Sequence, residues 1–267
     1  MTQAMETTYA PFVESHLAES APVLRERMQR DGYLFFRELV EAAKVVELRR
    51  QVLEICAEAG WLDLSQPLMN GVANPNAEPV AEGNRDYGRA YRRILQLADF
   101  DNFPADENLM RVMRALLGDE VLIHPRRMGR VTFPNNVGAT TPAHQDHFYI
   151  RGSVETYSCW VPLGACPRSL GGLAVAAASQ QSGFLDHDVT FPGAVGGRGV
   201  ATDDETVWHT SDFALGDALF FHSYTIHKAL PNLSGNLLRL STDNRYQKPK
   251  DEIEEGSLKM HAVAIID

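Results

Sequence analysis

The stretch Thr141-Pro-Ala-His-Gln-Asp-His-Phe-Tyr-Ile150 places His144 and Asp146 two residues apart. On an extended chain such a pair leaves the same face, so both side chains can reach one point. A second stretch, Gly216-Asp-Ala-Leu-Phe-Phe-His-Ser-Tyr-Thr-Ile-His-Lys-Ala-Leu-Pro-Asn232, carries two more histidines, His222 and His227, and spacing alone lets either join the pair. His227 lies 83 residues beyond His144, which is not the one-turn spacing of a helical zinc site. The pattern reads as a cluster on a β scaffold. His147 alternates to the opposite face and reads as structural or supporting.

The surrounding sequence agrees with that scaffold. From Asp119 onward, short β-prone runs alternate with Gly, Pro, Asn and Asp: Val121–His124, Arg130–Phe133, Thr156–Leu163, Leu173–Ala177, Val207–Phe213, Ala218–Phe221 and Leu238–Tyr246. Many short strands separated by turns imply a sandwich or barrel. Ahead of them, Ala21–Arg30 reads as a helix ended by Asp31-Gly32, then Tyr33–Phe36 as a strand. Glu41–Ala59 reads as a packing helix with Val45, Leu48, Val52 and Ile55 on one face, closed by Gly60. Tyr91–Ala98 and Asp106–Leu117 are expected to be helical, and the Leu109, Val112, Met113, Leu116 stripe is core.

The expected fold class is mainly β with flanking helices, around a double-stranded β-helix (jelly roll, cupin-like) core. Residues 1–267 form one expected domain: a helical N-terminal part to about 118, the core from about 119 to 247, and a tail over 248–267. Periodicity disappears from Trp61 to Asp86, where Pro67, Gly71, Pro75, Pro79 and Gly83 accumulate. Loops this long in a compact domain are covers over a site or disordered surface segments. With Gln180–Asp203, this loop is expected to shape any pocket.

Length and a 44% hydrophobic content allow a substantial core. A formal charge of −10 and a pI near 5.4 argue against general nucleic-acid binding, which needs a basic footprint. Cys56, Cys159 and Cys166 contain no CxxC pair and read as reduced thiols. No signal-like segment or 18-residue apolar run occurs, so the expectation is a cytoplasmic protein that acts on a small molecule, away from membranes.

Two imidazoles and one carboxylate leave open positions on a metal ion, the set associated with non-haem Fe(II) oxygenases. In Leu238-Arg-Leu-Ser-Thr-Asp-Asn-Arg-Tyr246, Arg239 and Ser241 project from one face. A guanidinium with a hydroxyl two residues on suits the far carboxylate of a dicarboxylic acid. The bland alternative is a surface strand in which Arg239 pairs with an acid such as Asp243.

Taken together, His144-Gln-Asp146, the 216–232 run and Arg239 twelve residues after His227 resemble the phytanoyl-CoA dioxygenase family of iron and 2-oxoglutarate oxygenases. Trp160-Val-Pro-Leu163 and Gly171-Gly-Leu173 fit the same pattern, and the likeness covers roughly residues 33–247. Within the family, Thr-Pro-x-His-Gln-Asp-x-Phe-Tyr-Ile and His-Lys-x-x-Pro-Asn-Leu-Ser resemble bacterial terpenoid-pathway hydroxylases.

The resemblance implies His144, Asp146 and His227 as ligands of Fe(II), Arg239 with Ser241 as the holder of 2-oxoglutarate, and O2 as co-reactant. It implies hydroxylation of an unactivated C–H bond, with succinate and CO2 as coproducts. An intact Asp146 favours hydroxylation over halogenation. Candidates for the substrate wall are Arg126, Arg130, Phe148, Tyr149, Tyr157, Trp160 and Arg198, and an arginine at the mouth would suit an acidic substrate. One departure stands out: Ala176-Ala-Ala-Ser-Gln-Gln181 replaces the Gly-Ser-His common in the family. The rival readings are a metal-binding jelly roll without oxygenase activity and a zinc hydrolase on the same ligands.

Overall fold

A computed structural model describes residues 9–190, 197–203 and 205–261. Part of the expected 180–203 loop and the end of the expected tail therefore lie outside the described residues. The helices are α1 (Ala21–Asp31), α2 (Ala42–Glu58), α3 (Arg85–Leu95), α4 (Ala98–Asn102), α5 (Glu107–Leu117) and the single turn α6 (His147–Ile150). The strands are β1 (Tyr9–Ala10), β2 (Tyr33–Phe36), β3 (Leu122–Ile123), β4 (Met128–Thr132), β5 (Tyr157–Pro162) and β6 (Leu173–Ala176). They continue with β7 (Val189–Thr190), β8 (Arg198–Gly199), β9 (Trp208–His209), β10 (Ala218–His222), β11 (His227–Ala229) and β12 (Arg239–Gln247).

Two sheets face each other in the jelly-roll manner. The major sheet runs β2-β10-β5-β12-β3, with β4 also paired to β12, and the minor sheet runs β1-β9-β6-β11. The major sheet is buried on both faces, which explains why Tyr33-Leu-Phe-Phe36 and Ala218-Leu-Phe-Phe221 read as unbroken apolar runs. Alternation sorts them: Tyr33, Phe35, Leu219, Phe221 and Trp160 pack between the sheets, while Leu34, Phe36, Ala218, Phe220 and Val161 pack under the helices. The helical layer meets them with Leu48, Val52, Leu109 and Met113, all essentially inaccessible. The N-terminal part is thus not only helical, since β1 and β2 enter the two sheets.

Turn chemistry locks the strands in place. Gly216 has φ +88°, and a Cβ there would meet the Val40 carbonyl at 2.4 Å, so the turn into β10 needs glycine. Its neighbour Asp217 is fully buried and accepts from Arg37 (2.6 Å), Glu38 N (2.9 Å) and Ala214 N (2.8 Å). The 176–181 segment has a role of its own. Gln180 and Gln181 donate to the carbonyls of Gln29 and Arg30 (2.8 and 3.0 Å), capping orphan acceptors at the end of α1.

Two local expectations are corrected. The helix expected from Tyr91 begins at Arg85, because Asn84 accepts from the amides of Asp86 and Tyr87 and starts it six residues earlier. The first half of the 61–86 loop is anchored, with Trp61 and Leu62 buried and Val72 bridged to Leu237. Among the described residues no helix is long and apolar enough to cross a membrane. Cys56, Cys159 and Cys166 are all free and buried.

His124, after β3, is buried with Nε2 2.8 Å from the Gln247 carboxamide oxygen and Nδ1 without a partner. Burial pulls its pKa down to about 4 from an ordinary value of 6.5. The unfolded chain therefore takes up this proton first, and stability falls as pH drops from 6.5 through 4. Between pH 7 and 4.5, urea unfolding should show the parent losing about 2 kcal/mol more than His124→Gln.

Candidate metal centre and its cavity

His144 and His227 come together through their backbones. Each donates its N–H to the other's carbonyl at 3.0 Å, an antiparallel pair that sets the two imidazole centroids 4.2 Å apart. Asp146 arrives differently from the sequence expectation. It is not on a strand but sits in a helical conformation (φ −59°, ψ −31°) as the residue that opens α6. The chain turns directly after His144, because Gln145 is held on both sides. Its side chain donates to Gly183 O and Tyr224 O, accepts from Leu185 N, and its amide donates to His187 Nε2.

The ligating atoms of His144, Asp146 and His227 all lie within 4.8 Å of one another, and all three residues are buried. Asp146 Oδ1 stands 3.7 Å from His144 Nε2 and 3.8 Å from His227 Nε2. Each imidazole has its Nδ1 beside a backbone carbonyl, Pro142 O at 2.8 Å and Thr225 O at 3.0 Å. A carbonyl only accepts, so each Nδ1 carries a hydrogen, and Nε2 is the nitrogen that each ring turns toward Asp146. Burial, with His144 close by, pulls the pKa of His227 down to about 3, so it is neutral. His222 stays apart: its Nδ1 accepts from Tyr224 N and its ring packs edge-on against Tyr157.

The other oxygen of Asp146 is held by Arg245, an interaction that the sequence reading missed. The Arg245 guanidinium reaches Oδ2 through Nε at 3.2 Å and Nη2 at 3.0 Å, and Ser158 Oγ donates to the same oxygen. Burial works against this carboxylate's charge, but the Arg245 guanidinium prevails and holds its pKa well below the usual range. The available signal was the alternation already used for Arg239 and Ser241. Arg239, Ser241, Asp243 and Arg245 are successive members of one face of β12, turned into the sandwich.

Arg239 is 3% exposed. It donates to Ser241 Oγ at 3.0 Å and Thr132 Oγ1 at 2.9 Å, and its Nε is buried without a partner. The pairing with Asp243 does not occur, because Asp243 is taken by Arg130 at 2.6 Å. Among the described residues no carboxylate neutralises Arg239. A buried guanidinium facing only hydroxyls is costly, and its environment suits an anion brought from outside.

A cavity of about 490 Å³ opens beside these groups, reaching His144, Asp146, Arg239 and Arg245. Arg126, Arg130 and Tyr149 line it, together with Val80–Gly83 of the long loop. Other expected wall residues sit elsewhere. Trp160 lies deeper, in a small inner pocket shared with Arg239 and His227. Phe148 stacks on His187 at 4.3 Å because the α6 turn swings it away, and Tyr157 is core against His222. The Arg198 residue is exposed, and it contributes only its carbonyl, which accepts from the Tyr149 hydroxyl.

The donor set fits iron: two imidazoles and one carboxylate, converging with part of their approach open to a cavity. Comparisons with known proteins agree. The chain is 29% identical over 257 residues to 1-deoxypentalenic acid 11-beta-hydroxylase of Streptomyces exfoliatus, covering 87% of this chain and 85% of that one. The enzyme of the same name from Streptomyces arenae is 27% identical. Among solved structures, the epimerase SnoN in complex with Fe3+, alpha ketoglutarate and nogalamycin RO aligns with a TM-score of 0.62 at 20% identity, over 88% of this chain and 86% of that one. EctD from S. alaskensis with bound Fe aligns with a TM-score of 0.60 at 19% identity, over 98% and 92%. These two likenesses concern the fold. The phytanoyl-CoA dioxygenase family profile matches residues 28–240, and the chain therefore belongs to that family of iron- and 2-oxoglutarate-dependent dioxygenases.

Proposed function

We propose that this enzyme hydroxylates an unactivated C–H bond of a compact, largely apolar carboxylic acid, with succinate and CO2 as coproducts. In this reading His144, Asp146 and His227 hold Fe(II), and Arg239 with Ser241 and Thr132 holds the far carboxylate of 2-oxoglutarate. The observation that carries it is the buried Arg239 guanidinium, without a carboxylate partner among the described residues, lining the inner pocket together with His144, Asp146 and His227. Bound iron with its cosubstrate would supply activation of O2 for C–H oxidation.

The chain's own contribution is to orient and to exclude water. Pro142 and Thr225 carbonyls fix the tautomers that leave both Nε2 atoms free, and Arg245 with Ser158 keeps Asp146 ionised and aimed. Val131, Phe133, Ile150 and Leu230 give the cavity its apolar walls. The substrate's acid group follows from charge. The cavity and inner pocket are lined by four arginines, Arg126, Arg130, Arg239 and Arg245, against Glu82, Asp146 and Asp243. A divalent cation and a dianionic cosubstrate cancel, which leaves one positive charge for the substrate to answer. Arg126 is the arginine at the mouth that lacks an acid partner among the described residues, touching only Tyr149 O at 3.4 Å. The two Streptomyces relatives act on a substrate named as an acid.

Three outcomes are expected. Anaerobic titration of Fe(II) in the presence of 2-oxoglutarate should produce a visible charge-transfer band, and Arg239→Met should raise the 2-oxoglutarate concentration needed for it at least about tenfold. Iron bound with no band at saturating 2-oxoglutarate would overturn the oxygenase reading, and would favour the zinc-hydrolase or inert alternatives. Arg245→Met should weaken Fe(II) affinity about 10- to 100-fold, the usual cost of losing a partner that orients a ligand, as read by competition with a chelating dye. Arg126→Met should raise KM for an apolar monoacid with little change in its methyl ester, and equal turnover of acid and ester by the parent would sink the acid assignment.

A further inference from the structure

The segment that follows β12 returns to the cavity. Ser153 N donates to Glu252 O at 2.8 Å, Gln247 Nε2 to the same carbonyl at 3.1 Å, and the buried Ser257 hydroxyl to Ile150 O at 3.0 Å, at the end of α6. Pinned there, the segment carries His261 into the cavity wall, where its side chain is 9% exposed.

Among the described residues His261 has one hydrogen-bond partner, the Tyr91 hydroxyl, 2.8 Å from Nδ1. Its Nε2 lies 3.6 Å from Glu82 Oε1, beyond hydrogen-bond length. Burial holds the Tyr91 pKa well above its usual value, so the phenol keeps its proton. Either nitrogen of a neutral imidazole can carry the hydrogen, but a bare Nε2 lone pair would face the Glu82 carboxylate and be repelled. The stable arrangement is Tyr91 O–H donating to Nδ1, with Nε2–H directed into the cavity. Burial and the nearby Arg126, Arg130 and Arg245 pull the His261 pKa down to about 3, so the ring is a neutral donor that can stand among guanidinium groups.

We propose that His261 is a substrate-binding residue: its Nε2–H, oriented by Tyr91, joins Arg126 in gripping the acid group of the substrate. The inference rests on the acid reading of the cavity given above. Glu82 lies 3.6 Å from His261 Nε2, beyond hydrogen-bond length, so this N–H remains available to an incoming anion, while Arg130 is already held by Asp243. Recognition by a neutral donor beside a cation discriminates acid from ester without adding a second positive charge to the pocket.

The test uses the full-length protein loaded with Fe(II) and 2-oxoglutarate under nitrogen, with adamantane-1-carboxylate and its methyl ester as probes. Binding is read from the shift of the visible band. The expected result is that the parent prefers the acid and that His261→Ala weakens acid binding about tenfold, leaving ester binding and the band itself in place. His261→Gln, which restores an N–H at similar reach, should recover most of the loss. Full acid affinity in His261→Ala, alongside loss in Arg126→Met, overturns this inference while the acid reading stands. Loss of the band in His261→Ala also overturns it, because the role would then be structural. If the parent binds acid no better than ester, the acid reading falls and this inference falls with it.

Discussion

A charge taken out of water has to be answered, and the Asp146 carboxylate is where this protein meets that demand. Two imidazoles approach one of its oxygens, and Arg245 and Ser158 hold the other. Removing one partner of such a group leaves an uncompensated buried charge, which costs several kcal/mol. The arrangement therefore constrains more than the site. Arg245 reaches Asp146 only if β12 lies beside β5 in its observed register, with Arg245 opposite Ser158. A slip of one residue would turn Arg239, Ser241, Asp243 and Arg245 toward the helices and bring Leu240 and Tyr246 into the cavity.

The same strand shows how a fold can spend its interior on chemistry. Every residue of β12 is buried, yet one face carries Arg239, Ser241, Asp243 and Arg245 while the other carries Leu240, Thr242, Asn244 and Tyr246. Two of its polar residues are paired inside the chain, Asp243 with Arg130 and Arg245 with Asp146. Among the described residues Arg239 has no acid partner, and that asymmetry sets it apart from the charges that are paired within the sandwich. The helical layer and the apolar half of the major sheet supply the burial that offsets the desolvation of these charges.

Much of the architecture could be read in advance wherever the signal was local. Helices α1, α2 and α5 and strand β2 carry strong periodicity and end signals, and their limits fall within a residue or two of expectation. Strands β1, β7 and β8 are two-residue pairings without a local pattern, so only their partners define them. Asn84 was overlooked because a cap inside a Pro- and Gly-rich loop does not announce a helix. At the site, the alternation that singled out Arg239 and Ser241 continues to Arg245. That residue was missed because an arginine late in a polar strand ordinarily reads as surface. Phe148 was misplaced by extending a strand through Asp146, where the clamp on Gln145 turns the chain into α6.

By itself, the sequence determined the kind of chemistry and the kind of scaffold: His144, Asp146, His227 and Arg239 in their order and spacing, among short alternating strands. Residue types and periodicities are local properties, and they survive in one dimension. Only the tertiary structure set the His227 ring beside that of His144, assigned the second oxygen of Asp146 to Arg245, and brought His261 from beyond the last strand to the cavity wall. Among the described residues it also left Arg239 without an acid. These outcomes depend on which charges become neighbours after the chain has closed, and pairing among residues about 100 positions apart follows from strand register and burial, not from the residues that happen to be adjacent in sequence.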